Sequence, residues 1–516
     1  MKSLLPLLAM LACAAAASAR PGSTHLIADP AAPQRVDYLV VCGDAFAGGL
    51  DVLAGHRAGQ GLAVGIVKMS AVTAKFKSIR PFLAHAVARW TKPAPRHLLL
   101  VGDVDTVPTV VKKGRLRGWG GSKDLATDFD YARPLDGRVR LHVGRFPCDT
   151  PAELAVMVRK TLDYETRLAP GGWQHRLKFV ASVGGYSKEI DTLLESIGMQ
   201  IAATGVPADF DVQAAYGSPN SPFCPYPPRF NRHVLEMFNE GSLLALFVGH
   251  GSRTSVARLV WRGRGYRIFG ARDAAALKVR QGLPILTVIA CHTGRFDAAD
   301  CLGETYLKTP AGPVAFIGGS RVTQPYGNGL FARAFILGFF SKARTLGEAL
   351  TSAKQHVLAH PFSLFRLQVD TACAGIQGKD ALGPMRADVV EHYNLLGDPA
   401  LVIRRPKRDI TVTLDRTTLR ILAPGREAVD LTLECARLDF LHPLPAIAPD
   451  DPDFEKKISD RYQKAHDKVI RRWAVKLKDG KGAVTFEPPK RPGTYFFKAS
   501  AGGSVGSAKL TVPPVK

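Results

Sequence analysis

Ser242-Leu-Leu-Ala-Leu-Phe-Val248, running into Gly249-His250-Gly251, and Pro284-Ile-Leu-Thr-Val-Ile-Ala290, running into Cys291, decide the fold. Each is a short unbroken apolar run. Neither alternates as a half-solvated strand would, and both are too short for a core helix, so each reads as a strand buried on both faces. A third run, Pro313-Val-Ala-Phe-Ile317, stops at Gly318-Gly319-Ser320 in the same way. Strands of this kind belong to parallel sheets covered by helices, and in open parallel sheets ligands sit beyond the carboxyl ends of the strands. The loops carrying His250, Cys291 and the Gly-Gly-Ser turn are therefore expected along one edge.

Working outward, the same texture extends towards both ends. Upstream, Tyr38–Cys42, Val64–Val67 and His97–Val101 read as buried strands, Ile79–Trp90 as a helix, Val139–Phe146 as a strand and Ala152–Arg167 as a helix before Pro170-Gly-Gly172. A second unit opens near Arg176 with strands at Leu177–Ser182 and Asp209–Ala214 and helices at Ile190–Ala202 and Phe230–Asn239. Past Leu401-Val-Ile403 the pattern becomes period-two. Ile410–Leu414, Val429–Leu433, Tyr495–Ala499 and Ala508–Val512 alternate as in a small β-sandwich, with a charged helical insertion expected over Asp453–Trp473. The expected organisation is residues 1–19 as a signal peptide, 20–172 as an N-terminal α/β subdomain, 173–405 as a second α/β subdomain and 406–516 as a β-sandwich.

The ends and the composition bound the setting. Lys2, the apolar run Leu4–Ala17 and the small residues Ala17-Ser18-Ala19 have the layout of an export signal, and no stretch reaches the roughly 20 apolar residues needed to span a bilayer. A secreted, periplasmic or cell-surface protein without a transmembrane segment is expected. The net charge of +24 fits an anionic surface, an acidic substrate or simply solvated faces. No dense basic run with interleaved aromatics supports nucleic-acid binding. Seven cysteines remain once Cys13 is removed, an odd number, so at least one thiol is unpaired within a chain. No C-x-x-C pair or zinc-like His/Cys spacing is present.

A thiol at one strand end beside an imidazole at the next has a chemical reading. A thiolate attacks an acyl carbon, an imidazole protonates the leaving amine, and backbone N–H groups stabilise the oxyanion. Cys291 and His250 fill the first two roles, and the N–H groups of Gly251 and Cys291 fill the third. Asp297 and Glu304, on the segment after the cysteine, are expected to brace the loop. His292 ranks below His250 as the base. Taken singly, a Cys after a strand is an ordinary buried hydrophobe and a His beside Gly an ordinary turn residue; the pairing at one sheet edge raises the chemical reading.

Phe247-Val-Gly-His-Gly-Ser252 and Ile289-Ala-Cys-His-Thr-Gly-Arg-Phe296 resemble the catalytic core of the gingipain family of caspase-like cysteine peptidases. His97-Leu-Leu-Leu-Val-Gly-Asp103 with Pro108, Thr127-Asp-Phe-Asp-Tyr131, Val143-Gly-Arg-Phe-Pro147 and Tyr393-Asn-Leu-Leu-Gly-Asp-Pro399 extend the resemblance over nearly the whole mature chain. It implies two caspase-like α/β subdomains with mostly parallel sheets, a C-terminal immunoglobulin-like β-sandwich, and a cysteine endopeptidase acting on a protein or peptide. It also implies Cys291 and His250 as catalytic dyad, and Ser320–Tyr326 as a wall of the substrate pocket, with Ser320 and Arg321 touching substrate and Tyr326 as an aromatic lid. Two positions depart from the family pattern. The Glu that orients the histidine is replaced by Ser182-Val-Gly-Gly185, and the Asp that holds a basic substrate side chain has Asp191, with Glu189 behind it, as its nearest counterpart. Arg321 and the Arg-rich stretch Arg253–Arg280 would bias the site towards acidic or neutral side chains. The family binds structural calcium; acidic residues at Asp103, Asp105, Asp128 and Asp130 lack EF-hand spacing, and the chemistry requires no cofactor. A transpeptidase of the same family and an inactive surface protein with the same fold are the alternatives. Oligomeric state is left open.

Overall fold

The structure, a computed structural model, describes residues 22–116, 121–185, 198 and 201–514. Fifteen strands precede residue 400: β1 (Thr24–Leu26), β2 (Tyr38–Cys42), β3 (Val64–Lys68), β4 (His97–Val101), β5 (Val110–Lys113), β6 (Asp124–Thr127), β7 (His142–Phe146), β8 (Arg176–Ser182), β9 (Asp211–Gly217), β10 (Leu244–Val248), β11 (Arg258–Trp261), β12 (Arg264–Arg267), β13 (Ile285–Ile289), β14 (Ala315–Gly319) and β15 (Tyr393–Leu396). Eleven of them form one sheet in the order β1-β3-β2-β4-β7-β15-β14-β13-β10-β8-β9. Every neighbouring pair is parallel except β14–β15. The remaining four make the hairpins β5–β6 and β11–β12.

The apolar runs become the central strands because helices cover both faces. Every residue of β2, β4, β13, β14 and β15 is buried. Leu98, Leu99 and Leu100 are each 0 % exposed, a stabilisation on the order of 2 kcal/mol per side chain. Helices start where the sequence supplies caps: Thr150 with Glu153 and Thr345 with Glu348 form capping boxes for Pro151–Leu162 and Leu346–Ala359.

The two α/β units meet at β15. Its Leu396 pairs with Arg145 of β7, and Gly397 N–H donates to Arg145 O at 2.7 Å. The Arg145 side chain is fully buried, donating to both Asp128 oxygens at 2.7 and 2.9 Å and to the carbonyls of Gly102 and Val107. A buried guanidinium is tolerated only with its donors satisfied and a carboxylate opposite, and this one ties the seam together. Arg57 does the same nearby, donating to Asp398 at 2.8 Å and Glu165 at 2.8 Å.

Seven further strands follow: β16 (Thr411–Asp415), β17 (Thr418–Leu422), β18 (Ala428–Cys435), β19 (Val469–Lys476), β20 (Lys481–Thr485), β21 (Gly493–Ala501) and β22 (Ser504–Val512). They form two antiparallel sheets, β16-β17-β20 and β19-β18-β21-β22. Val412, Leu419, Leu431, Leu433, Phe486 and Phe497 share a core between them. The helix expected over Asp453–Trp473 is shorter, Phe454–His466, and Val469–Lys476 is an edge strand instead. Val469 and Ile470 are β-branched, Trp473 pairs with Leu431, and the exposed Arg471 and Arg472 resemble an exposed helix in composition while protecting a sheet edge. The strand expected over Asp209–Ala214 lies at Asp211–Gly217. Most of the helix expected over Ile190–Ala202 lies outside the described residues.

The helix Phe454–His466 lies along β9, an edge of the large sheet. Ala214 N–H donates to His466 Nε2 at 3.0 Å, and Tyr462 donates its hydroxyl to Ala214 O at 3.0 Å. Two side chains thus satisfy the edge as a neighbouring strand would.

Candidate active site

Register brings the site together. β10 and β13 pair in parallel with Val248 opposite Ile289, so His250 and Cys291 each lie two residues beyond that last pair. Neighbouring strands run about 5 Å apart, which puts the two loops side by side. β8 flanks β10 with Ala181 opposite Val248, carrying Ser182–Gly184 to the same edge.

Glycines make the crossing possible. Gly249 has φ +156°, and a Cβ there would collide with the Ser182 hydroxyl. A Cβ on Gly251 would lie 2.7 Å from Cys291 O and 2.8 Å from the Ala290 Cβ. Only glycine lets the loop after His250 lie this close to the cysteine. The N–H groups of Gly251 and Cys291 donate to no described backbone group. Two uncommitted amides beside a thiol form a candidate oxyanion site.

The imidazole of His250 is held by the Gly184 carbonyl, which accepts from Nε2. A proton on Nε2 leaves Nδ1 as the basic nitrogen. The sequence Ser182-Val-Gly-Gly185 has no carboxylate, and among the described residues a backbone carbonyl holds this imidazole. No residue type in a sequence announces such a carbonyl, which is why sequence reasoning missed it.

Cys291 is the one half-buried thiol among the seven described; Cys42, Cys148, Cys224, Cys301, Cys373 and Cys435 are buried, and all seven are free. Burial pushes the thiols of Cys42, Cys148 and Cys224 up to about 12 and that of Cys373 to about 11. Thiols held that high have almost no thiolate at neutral pH and are inert. Around Cys291 the contacts come from Thr323. Its N–H donates to Sγ at 3.3 Å, and its carbonyl and hydroxyl oxygens lie 3.6 Å from Sγ.

The bracing residues do what their chemistry requires. Asp297 accepts from both terminal nitrogens of Arg321 at 2.7 and 2.5 Å. Glu304 accepts from Cys301 N–H at 2.8 Å at the start of the helix Leu302–Lys308, and burial pushes its carboxyl up to about 8. His292 adopts a left-handed conformation, φ +60°, and burial with Arg295 and Arg321 nearby lowers its pKa.

Three residues expected to touch substrate are committed elsewhere. Ser320 is fully buried and donates its hydroxyl to Ala126 O at 2.7 Å. Arg321 is 6 % exposed and its guanidinium is held by Asp297, by Asp124 at 2.6 Å and by Ser320 O at 2.9 Å. Tyr326 is 1 % exposed; its hydroxyl donates to Asp370 at 2.7 Å and accepts from Arg386 at 2.8 Å, so it is a core residue rather than a lid. Polar side chains following a buried strand look the same in sequence whether they face a pocket or a neighbouring loop. Asp191 and Glu189 lie outside the described residues. In the Arg-rich stretch, Arg253 donates to Ala299 O and Asp300 O, Arg262 to Pro449 O, and Arg267 pairs with Asp273.

Two of the four acidic residues considered for calcium, Asp128 and Asp130, are held by protein donors. Asp128 is bound by Arg145 and Thr109, and Asp130 by Lys112 and Arg133. Among the described residues no three His, Cys, Asp or Glu side chains converge as metal ligands.

Known proteins resemble this chain in sequence and in fold. The family model described as "Peptidase family C25" matches residues 31–404. Gingipain R2 of Porphyromonas gingivalis is 24% identical over 342 residues, covering 64% of this chain and 39% of that protein. Gingipain R1 of the same species is 23% identical over 340 residues, covering 64% of this chain and 29% of that protein. The chain thus spans well under half the length of these curated relatives. The crystal structure of the Arg-specific cysteine proteinase gingipain R superimposes with a TM-score of 0.53 at 16% identity, covering 94% of this chain and 99% of that one. That likeness shows the fold: mixed α/β with a large, mostly parallel sheet. With the family model matching well over half its length, on the segment that holds both His250 and Cys291, this chain belongs to peptidase family C25.

Proposed function

We propose that the chain is an exported cysteine endopeptidase that hydrolyses peptide bonds through an acyl-thioenzyme. The observation that carries this reading is the β10–β13 register, which sets His250 beside Cys291, the half-buried thiol, at one sheet edge. His250 takes the proton from Sγ, and the thiolate attacks the peptide carbonyl carbon. The oxyanion is received by the N–H groups of Gly251 and Cys291. The C–N bond breaks as His250 returns the proton to the leaving amine. A water molecule then gives a proton to His250 and attacks the thioester, releasing the carboxylate and restoring the thiol. The Gly184 carbonyl steadies the imidazole while it carries the positive charge. No cofactor enters these steps. Export is supported by the signal-like layout of Lys2 to Ala19. The two C-terminal sheets with their shared core support an immunoglobulin-like sandwich.

The test is labelling of the purified mature protein by acyloxymethyl ketones carrying basic, acidic and neutral P1 side chains, with Cys291→Ala as control. Labelling at Cys291 is expected, lost in the variant and reduced at least about 100-fold in His250→Ala, since general acid–base groups contribute that much. The preferred P1 group then reports the pocket. Absence of labelling by every P1 group under reducing conditions would replace this reading with an inactive scaffold.

A further inference from the structure

The thiol of Cys291 lies at the end of a half-buried hydrogen-bonded chain that the reaction as written does not use. Thr323, 4 % exposed, follows β14 by four residues and meets the thiol with three polar atoms. Its N–H donates to Sγ at 3.3 Å, its carbonyl lies 3.6 Å away where it accepts from S–H, and its Oγ1 lies at 3.6 Å. Behind it, Asn328 donates from Nδ2 to Thr323 Oγ1 at 2.9 Å. Tyr393 in turn donates its hydroxyl to Asn328 Oδ1 at 2.8 Å. The tyrosine ring is stacked on Phe331 at 4.2 Å, which fixes its end of the chain.

The direction of these bonds matters. Asn328 occupies a lone pair of Thr323 Oγ1, so the hydroxyl proton is left to turn towards sulfur. In the thiol state, S–H has the Thr323 carbonyl as acceptor. In the thiolate state, sulfur has two donors, the Thr323 N–H and the Thr323 O–H. Hydrogen bonds to the charged form of a group favour that form, and a charge-assisted donor is roughly twice as strong as a neutral one.

We propose that Thr323, backed by Asn328 and Tyr393, is a positioning residue that stabilises the Cys291 thiolate and aims it. This rests on Cys291 being the nucleophile. It adds that the ionisation of that thiol is set in part by a hydroxyl on the neighbouring strand-end loop, linked through Asn328 to β15. The Ser320–Tyr326 segment then serves the nucleophile from its backbone and from Thr323, rather than through the side chains of Ser320, Arg321 or Tyr326.

The experiment measures the rate of Cys291 alkylation by iodoacetamide against pH in wild type, Thr323→Val, Thr323→Ser and Tyr393→Phe, with the labelled peptide identified by mass. Removing a hydrogen-bond donor to the thiolate disfavours that form, so Thr323→Val is expected to move the alkylation profile towards higher pH. Thr323→Ser is expected to restore it, since the hydroxyl returns. Tyr393→Phe keeps the ring on Phe331 and removes only the remote donor; a smaller upward shift is expected, and this variant carries the test should Thr323→Val misfold. Unchanged profiles in both Thr323→Val and Tyr393→Phe overturn the proposal. Alkylation reads the thiol without turnover. If peptidase activity survives Cys291→Ala, the nucleophile assignment fails, whereas flat alkylation profiles with activity lost in Cys291→Ala fail the Thr323 proposal alone.

Discussion

Replacing Arg321 by Gln separates a strut from a substrate contact. Arg321 makes four hydrogen bonds: to Asp124 at 2.6 Å, to both oxygens of Asp297 at 2.7 and 2.5 Å, and to its own loop at Ser320 O, 2.9 Å. The arginine and Asp297 side chains are 7% and 13% exposed, so this bidentate pair sits in low dielectric; Asp124 is 55% exposed. A solvent-screened pair contributes at most about 1 kcal/mol. Removing one partner of a buried pair costs about 3–5 kcal/mol, because the other charge is stranded. Arg321→Gln is therefore expected to lose about 3–5 kcal/mol, nearly all from the Asp297 pair. Urea unfolding followed by far-UV circular dichroism measures it as a fall in midpoint at unchanged slope. Adding Asp297→Leu in an Arg321→Met background is expected to recover most of the loss, since the stranded charge is gone. P1 preference, measured by the labelling panel, is expected to stay the same. A midpoint within about 0.5 kcal/mol of wild type, together with an altered P1 preference, would refute the strut and return Arg321 to the pocket.

Acid is expected to weaken the fold through two buried imidazoles. Burial, with cationic neighbours, holds His97 and His392 to about 3. An unfolded histidine titrates near 6.5, so below that pH only the unfolded chain takes up these protons, and stability falls as pH drops from 6.5 towards 3. The pair is expected to remove about 4 kcal/mol between pH 7 and 5, read as a shift in urea midpoint; His97→Gln with His392→Gln should flatten the slope. Thiol titration of the mature chain with a disulfide reagent is expected to show one fast thiol, absent in Cys291→Ala, and six more only in denaturant. Equal reactivity of several native thiols would remove the contrast in burial on which the nucleophile assignment leans. Tyr462→Phe with His466→Leu is expected to cost about 1–3 kcal/mol and to raise light scattering, because Ala214 on edge strand β9 loses both partners. Unaltered stability and scattering would mean the helix Phe454–His466 does not protect that edge.

What the sequence determined by itself is local and periodic. Unbroken apolar runs too short for core helices become strands buried on both faces; this alone predicted strands over Ser242–Val248, Pro284–Ala290 and Pro313–Ile317, which lie at Leu244–Val248, Ile285–Ile289 and Ala315–Gly319, and set His250 and Cys291 at the carboxyl ends of the first two. Gly251 was legible for the same reason, since a glycine after a strand-end histidine permits close approach. Tertiary structure decided which polar groups face what. Ser320, Arg321 and Tyr326 have the residue types of a pocket wall, yet their partners Ala126, Asp124 and Asp370 come from segments 194, 197 and 44 residues away. The Gly184 carbonyl and the Thr323 N–H are main-chain groups carried by every residue alike, so only the register of β8, β10, β13 and β14 selects them. The joining of the two α/β units through β15 was equally hidden. Its strand is four residues long and antiparallel to β14, and it is held by pairing and by the buried Arg145 and Arg57 ion pairs rather than by any pattern of its own. Periodicity reports burial because burial is a property of one side chain and its solvent. Partnership is a property of two groups brought together by the chain, and it exists only once the fold does.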